Sequence, residues 1–264
     1  ADYYQRQIEN LHKEKVIDSL SKYCVIPKYG FPVDVVELQI YKEGIMDNSY
    51  DLSRDLKIAI SEYAPDSEII VDGKKYTSKY ISLPKTGEYP RNYFCTCHNC
   101  KKINVSVSTR TGNECKYCGE PLGAVVQEFY IEPINGFKTG ITKESTRAKP
   151  KRSYAGEVSY LGGGIKDENI VSLSNAITIE TSTNDELLVM NKSSFNMCPI
   201  CGYSDIVKGK VITPISLKKH KNYRQFDCSC EELTQVRLGH RFQTDVARFT
   251  IATEGHSIPI PGLG

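Results

Sequence analysis

A doubled cysteine pair near the middle of the chain reads Tyr93-Phe94-Cys95-Thr96-Cys97-His98-Asn99-Cys100, followed by Cys115-Lys116-Tyr117-Cys118-Gly119. Each Cys-x-x-Cys turn offers two thiolates from one tight loop, and two such turns complete the four ligands of a tetrahedral zinc ion. Gly119 follows the second pair, where a tight turn needs a residue that tolerates positive φ. The spacing therefore predicts a zinc ribbon whose ligands are Cys97, Cys100, Cys115 and Cys118.

Cys95 adds a fifth thiol to a site that needs four ligands. The sequence leaves open whether Cys95 or Cys97 is the ligand. We assign the metal to Cys97, because it completes the Cys-x-x-Cys spacing with Cys100, and we interpret Cys95 as a neighbour of the site.

A second cysteine set lies far downstream and reads Cys198-Pro199-Ile200-Cys201-Gly202, followed by Cys228-Ser229-Cys230. Residues i and i+2 of an extended strand share one face, so Cys228 and Cys230 can reach the same ion. We therefore predict a second zinc site whose ligands are Cys198, Cys201, Cys228 and Cys230. His220 lies between the two halves of the set and is an alternative ligand.

Both zinc sites are predicted to be structural, since four protein ligands close the coordination shell and a catalytic zinc keeps one position for water. The sequence lacks the signature of the zinc deaminases. The glycine-rich run at 161–164 is not followed by the Lys-Ser/Thr of a phosphate loop. His240 and Asp245 lie on opposite faces of an expected strand and would not form a catalytic pair. No catalytic residue is predicted.

Composition excludes several classes of protein. The 264 residues are 39% hydrophobic, with 17 tyrosines and no tryptophan, and the formal net charge is only +2. No apolar run approaches the ~18 residues that a membrane helix needs, and no charged-then-apolar signal peptide opens the chain. With metal pairs in place of a disulfide framework, we expect a protein of the reducing cytoplasm that makes no membrane contact.

The patterning predicts an α+β chain that is mostly β, with antiparallel sheets, two zinc-ribbon-like lobes and a few short helices. An amphipathic helix is expected over 2–23, and a short helix capped by Ser53 over 52–60. The clearest strand signal is a hairpin over 68–78, whose turn is the favoured Asp-Gly pair. Further strands are expected over 33–41, 125–134 and 238–246.

We expect one compact unit of a longer protein, because the chain opens at Ala1 without an initiator methionine. The predicted segments are an N-terminal helix with an α/β hairpin region (1–92), a zinc ribbon (93–122), a β-rich region with a basic loop (123–196), and a second zinc lobe with a closing strand (197–264).

Two local basic clusters, at 143–154 and 218–221, are candidate nucleic-acid contacts, since the near-neutral chain has no global basicity. Lysine and arginine contacts to phosphates supply DNA affinity that is independent of base sequence. A solvated loop is the alternative interpretation of the first cluster. The predicted DNA-contacting residues are Lys149, Lys151, Arg152, Lys218, Lys219 and Lys221.

Several blocks together resemble a known module. They are Pro27-Lys28-Tyr29-Gly30-Phe31-Pro32 with 33–38, then 58–65 and 71–76, and finally Leu238-Gly239-His240-Arg241-Phe242-Gln243-Thr244-Asp245-Val246. In this order they resemble the cysteine-rich, zinc-binding C-terminal region (MrfA-type, MZB) of bacterial superfamily-2 DEAD/DEAH helicases. A related region occurs in anti-phage defence proteins of the DISARM and Druantia type.

The resemblance implies a DNA-processing context, in antiviral defence or DNA repair, and supports the second zinc set beside the closing motif. Helicases of this family hydrolyse ATP with a phosphate loop and an acidic box, and this chain contains neither. The motor would therefore lie elsewhere in the same protein or in a partner chain. The resemblance implies an accessory domain that contacts DNA or docks the motor.

Two alternatives remain open at this point. One is a protein–protein interaction scaffold of a defence complex that never contacts DNA, and the near-neutral charge favours it. The other is a hidden nuclease, which the sequence supports least because no carboxylate cluster has metal-binding spacing.

Overall fold

The computed structural model describes most of the chain with gaps. The predicted helix over 2–23 and the basic segment over 143–154 lie outside the described residues. No helix in the described part has the length and apolar composition needed to cross a membrane. The described ranges are 34–106, 113–122, 128–140, 156–161, 170–174, 177–207, 219–253 and 256–257.

The described residues form strands and one short helix, α1, at Leu56–Glu62. In chain order the strands are β1 (Val35–Lys42), β2 (Ile45–Asp47), β3 (Ser53–Asp55), β4 (Glu68–Val71), β5 (Lys74–Ile81), β6 (Asn92–Thr96), β7 (Ile103–Ser106), β8 (Glu128–Ile131), β9 (Phe137–Thr139), β10 (Gly156–Tyr160), β11 (Ile170–Ser174), β12 (Ile177–Met197), β13 (Ser204–Ile206), β14 (Thr234–Thr253) and β15 (His256–Ser257).

The strands form two sheets. The first has the order β2-β1-β9-β5-β4, with β3 paired to β1, and the second has the order β10-β12-β14-β8-β6-β7, with β11 and β13 paired to β12 and β15 paired to β14. The prediction of a mostly β fold is confirmed. Both sheets are mixed, because β1 pairs with β9 and β14 pairs with β8 in parallel. Such pairings join segments far apart in sequence, so local patterning could not reveal them.

The predicted hairpin over 68–78 is present as β4 and β5. Val71 pairs with Lys74 across the two-residue turn. Asp72 and Gly73 both have positive φ, at 49° and 69°, as the turn that follows the twist of the strands requires.

The short helix begins later than the sequence predicted. Asp55, not Ser53, caps α1, and its carboxylate accepts the amide of Lys57 at 3.0 Å. Ser53 instead pairs with Glu37 as part of β3, so sheet pairing outweighs its capping preference. Leu56, Ala59 and Ile60 are buried on one face of the helix, at the spacing of an amphipathic turn.

The second sheet is built around a long antiparallel ribbon of β12 and β14. Its register runs from Ile177 opposite Ile251 to Met197 opposite Thr234, with irregularities after Ser182 and Met190. One continuous core joins this ribbon to the first sheet and to α1. Its members from the two sheets and α1 include Leu38, Ile60, Phe137, Val189, Phe195, Val236 and Leu238.

A buried histidine forms an electrostatic link between the sheets. His240 on β14 is 4% exposed. Its Nε2 lies 3.3 Å from a carboxylate oxygen of Asp34, just before β1, and its Nδ1 lies 3.7 Å from Glu132, just after β8. Burial lowers the pKa of His240, but the two carboxylates outweigh burial and raise it to about 9. His240 is therefore a cation at neutral pH.

We expect the stabilising effect of His240 to depend on pH. The folded-state pKa of about 9 exceeds the ordinary value near 6.5, so the contribution is complete below about pH 6.5 and is lost as pH rises through 9. A pKa shift of this size corresponds to a contribution of about 3 kcal/mol at most to the free energy of unfolding. We predict that His240→Gln lowers the free energy of unfolding by about 2 kcal/mol at pH 6 and by much less at pH 9.5. Urea denaturation of both proteins at the two pH values measures this difference, and an equal loss at both values would show that His240 is neutral in the fold.

Candidate metal centres

Three Cys-x-x-Cys turns share one backbone geometry. In each, the first cysteine accepts a hydrogen bond from the amide four residues later: Lys101 to Cys97 at 3.0 Å, Gly119 to Cys115 at 2.9 Å and Gly202 to Cys198 at 2.9 Å. The amide of the same cysteine then donates to the carbonyl five residues later, at 2.8 to 2.9 Å. These two backbone hydrogen bonds close each turn and bring both of its cysteine side chains to the same side.

The fourth residue after each first cysteine has positive φ. Gly119 and Gly202 adopt 71° and 76°, and Lys101 adopts 60° in the first turn. A non-glycine residue in this region costs energy and persists only where its surroundings determine it. The sequence therefore signalled the glycine turns directly, while the first turn was identifiable only by its cysteines.

The first group brings together the Sγ atoms of Cys97, Cys100, Cys115 and Cys118, all within 4.8 Å of one another. Cys97 and Cys118 are 3.7 Å apart, and Cys100 and Cys115 are 3.6 Å apart. A tetrahedral ion with metal–sulfur bonds of ~2.3 Å separates its sulfurs by about 3.8 Å. The four cysteines predicted from the sequence therefore have the spacing that such an ion requires.

The hairpin of β6 and β7 supports this first group. Asn104 on β7 is 4% exposed, and its amide donates to the sulfur of Cys115 at 3.4 Å while its oxygen accepts the amide of Lys116 at 3.0 Å. Burial raises the pKa of the Cys115 thiol, but hydrogen bonds from Asn104 and from backbone amides outweigh it and lower the pKa to about 6. The hydrogen bonds to its sulfur thus favour the thiolate of Cys115, the form that binds metal.

Cys95 lies beside this group and is not part of it. It is buried in β6 opposite Asn104, and it packs with Cys97, Cys115 and Leu122 in a small cluster. The sulfur that joins the other three belongs to Cys97. Cys95 thus occupies the position of a neighbour of the site.

The second group consists of Cys198, Cys201, His220 and Cys228, whose ligand atoms also lie within 4.8 Å of one another. The sulfurs of Cys198 and Cys228 are 3.7 Å apart, and the sulfur of Cys201 is 3.2 Å from Nε2 of His220. Three of the four predicted cysteines are therefore brought together, with His220, the alternative ligand, as the fourth member.

A hairpin presents His220 and Cys228 side by side. The amide of Cys228 donates to the carbonyl of His220 at 3.0 Å. The next residues towards the tip, Lys221 and Asp227, form a backbone β-bridge. His220 is 9% exposed and packs against Tyr203, with ring centres 4.7 Å apart and ring planes tilted by 30°. Burial lowers the pKa of His220, which favours the neutral imidazole that a metal ligand must be.

Cys230 is not among the four members of this group, although its thiol interacts with that of Cys198. Its thiol donates to the carbonyl of Glu232 at 2.9 Å. The prediction of Cys230 rested on the shared face of residues i and i+2 in a strand. The cross-hairpin pairing of His220 with Cys228 is a longer-range relation, which spacing alone does not encode.

The second group is fastened to the first sheet. Gly202 accepts the amide of Ile81, the last residue of β5, at 2.8 Å. A Cβ at position 202 would overlap the carbonyl oxygen of Ile81, so both space and positive φ restrict this position to glycine. Tyr80 and Tyr203 form a β-bridge beside it. The metal-binding turn and β5 are thus held together by backbone contacts.

The predicted DNA-contacting residues are described only in part. Lys219 and Lys221 flank the buried His220, and both are exposed. Lys149, Lys151, Arg152 and Lys218 lie outside the described residues.

Comparisons with known proteins give a distant and partial similarity. The chain is 24% identical over 268 residues to Druantia protein DruE of Escherichia coli (strain UMEA 4076-1), an alignment that covers 89% of this chain and 14% of DruE. The chain therefore corresponds to a small part of that much longer protein. No family model matches the chain, and no solved structure matches it.

We predict that the wild-type chain binds two metal ions and that single serine substitutions separate ligands from neighbours. Cys198→Ser should reduce the content to about one ion per chain, because three ligands hold an ion poorly. Cys230→Ser should retain two ions, since its sulfur lies outside the group. Metal content of the purified proteins by inductively coupled plasma mass spectrometry distinguishes them. Loss of one ion in Cys230→Ser with retention in His220→Gln would assign the ligand to Cys230.

Proposed function

We propose that this chain is a zinc-binding accessory region of a larger anti-phage defence or helicase protein, which contacts DNA or docks an ATP-dependent motor and has no catalytic site of its own. The observation that carries the proposal is the pair of closed four-ligand groups in a chain similar to part of DruE. The resemblance of the closing motif at 238–246 to helicase-associated regions supports the same context.

Zinc is the ion that suits both groups. One group offers four thiolates and the other offers three thiolates and an imidazole, the sets that structural zinc uses in proteins. Thiolates disfavour magnesium and calcium, which prefer oxygen ligands. We also propose a reducing, cytoplasmic setting, in which cysteine pairs remain available as metal ligands.

A structural role for both ions follows from their complete sets of protein ligands. Each group provides four protein ligands and leaves no coordination position for water or substrate. Within the described ranges, no further group of histidines, cysteines and carboxylates has metal-binding spacing. This supports an accessory region over a metalloenzyme.

Contact with DNA is supported by charge near the second group. In the described part of the chain, neither Lys219 nor Lys221 forms an ion pair, although both are exposed beside His220. Cations without carboxylate partners can bind DNA phosphates, and displace the counterions condensed on the DNA, without first breaking an ion pair.

A protein-interaction scaffold is the second candidate, and an exposed apolar row favours it. Val171, Ile179 and Phe249 lie opposite one another on β11, β12 and β14. Val171 is 54% exposed and Phe249 is 50% exposed. Such a row on a sheet face is typical of a surface that a protein partner covers.

Removal of zinc should unfold the regions around both groups, because the energy of metal binding is part of their folding energy. We expect a strong chelator to abolish the near-ultraviolet circular dichroism of the tyrosines, the main aromatic signal in a chain without tryptophan. Zinc should restore the signal, and magnesium should not. An unchanged spectrum after complete metal removal would contradict a structural role.

DNA contact is tested by fluorescence anisotropy of labelled single-stranded and duplex DNA with the zinc-loaded chain. We expect affinity to fall about tenfold between ~50 and ~200 mM salt for every two phosphate contacts. Absence of binding at low salt by a folded, zinc-loaded sample would overturn DNA contact. The protein-interaction scaffold would then be the better-supported function.

A further inference from the structure

The hairpin at 220–228, here called the ligand hairpin, has a rigid tip. The side-chain oxygen of Asn222 accepts the amides of Arg224 at 2.9 Å and Phe226 at 3.2 Å. The backbone adds two bonds, from Asn222 to Phe226 at 2.8 Å and from Gln225 to Asn222 at 2.9 Å. The shape of the tip is thus set by its own hydrogen bonds, and the metal ligands His220 and Cys228 fix its base.

Tyr223 anchors the ligand hairpin to the first sheet. Its ring packs edge-on against Tyr41 on β1 at 4.9 Å and against Tyr80 on β5 at 6.1 Å. The hydroxyl of Tyr80 donates to the carbonyl of Lys221 at 3.0 Å. With both its base and one side fixed, the hairpin cannot fold back to bury its remaining apolar residue.

That residue is Phe226, which is 67% exposed at the tip. A large aromatic ring held in water by a rigid support loses the free energy that burial would give. An aromatic ring presented in this way can pack against another flat group that arrives from outside.

Two cations lie beside Tyr223, which supports this part of the hairpin. The ammonium of Lys138 lies 3.9 Å from the ring centre of Tyr223, and the guanidinium of Arg224 lies 5.7 Å from it. Burial is the main cause that lowers the pKa of Lys138, and the charge of Arg224 adds to it. Within the described ranges neither cation forms an ion pair, whereas nearby Lys79 is paired with Asp66 and Asp205.

Lys219 and Lys221 extend the positive charge along the base, and Asp227 is the only carboxylate in the sequence of the hairpin. We propose that the ligand hairpin is a binding site for single-stranded nucleic acid, in which Phe226 stacks on an unpaired base while Arg224, Lys138 and Lys221 contact the flanking phosphates. This inference rests on the nucleic-acid contact proposed above and assigns it to one element and one class of ligand.

The chemistry favours a single strand over a duplex or an acidic protein. Aromatic rings interleaved with unpaired cations are the recurring elements of single-strand binding, because every base has a face for stacking and every nucleotide has a phosphate. In a duplex the faces of the bases are already stacked on one another, so an exposed Phe226 would gain little. An acidic peptide would satisfy the cations but offers no regular flat partner for the ring.

The test is anisotropy with the full zinc-loaded chain, using a labelled single-stranded DNA, an RNA of the same sequence and the corresponding DNA duplex. Phe226→Ala should weaken single-strand binding about tenfold and leave duplex binding unchanged. Ile200→Ala is the matched control, since Ile200 is 58% exposed on the other turn of the same metal group. The DNA and RNA arms identify which strand binds more tightly.

Arg224→Gln and Lys138→Gln should each reduce the slope of log affinity against log salt by about 0.7, the value for one phosphate contact on a single strand. Lys85→Gln, an exposed lysine in the loop between β5 and β6, should leave the slope unchanged. Circular dichroism and a metal content equal to wild type confirm that each variant is folded.

The outcomes distinguish binding at the ligand hairpin from the broader proposal that the chain contacts nucleic acid. If the wild-type chain binds single strands and the variants at Phe226, Arg224 and Lys138 bind equally well, the hairpin is not the site and nucleic-acid contact lies elsewhere. A preference for duplex that Phe226→Ala does not change also overturns the inference. If the wild-type chain binds none of the three probes, the contact with nucleic acid itself is overturned.

Discussion

The backbone contact between Gly202 and Ile81 is the constraint on which the second metal group and its surroundings depend. It joins a metal-binding turn to the end of β5 at a distance that leaves no room for a side chain. Because the turn is fixed to the sheet, the ion would couple the ligand hairpin to the same sheet through Cys198 and Cys201. Gly202, together with the packing of Tyr223 on the first sheet, thus determines where the hairpin and its exposed residues lie.

The same principle of joining distant segments applies in the core. One apolar cluster contains residues from β1, α1, β9, β12 and β14. Each sheet therefore buries its apolar side chains against the other. The cation of His240 adds an electrostatic link between Asp34 and Glu132 at the edge of this cluster. Because burial alone would favour neutral imidazole, the two carboxylates are what make this arrangement stable at neutral pH.

The two metal groups are supported in different ways. The first is enclosed by its own turns and by Asn104, within the hairpin of β6 and β7. The second uses the first sheet, through Tyr203, Tyr80 and Ile81, as its support. The second group therefore connects metal binding to a surface with unpaired cations and an exposed aromatic ring, which is why we assign recognition to that end of the molecule.

Local spacing in the sequence was sufficient for the parts whose geometry is local. The Cys-x-x-Cys turns, the glycine at 119, the Asp-Gly hairpin and the mostly β patterning each depend on a few adjacent residues, and they are found as expected. Tertiary structure decided the rest. It brought the hairpin of His220 and Cys228 to Cys198 and Cys201, and it paired β1 with β9 and β8 with β14, because these contacts join segments that are distant in the chain. It also gave the helix cap to Asp55, because Ser53 pairs with Glu37 of β1.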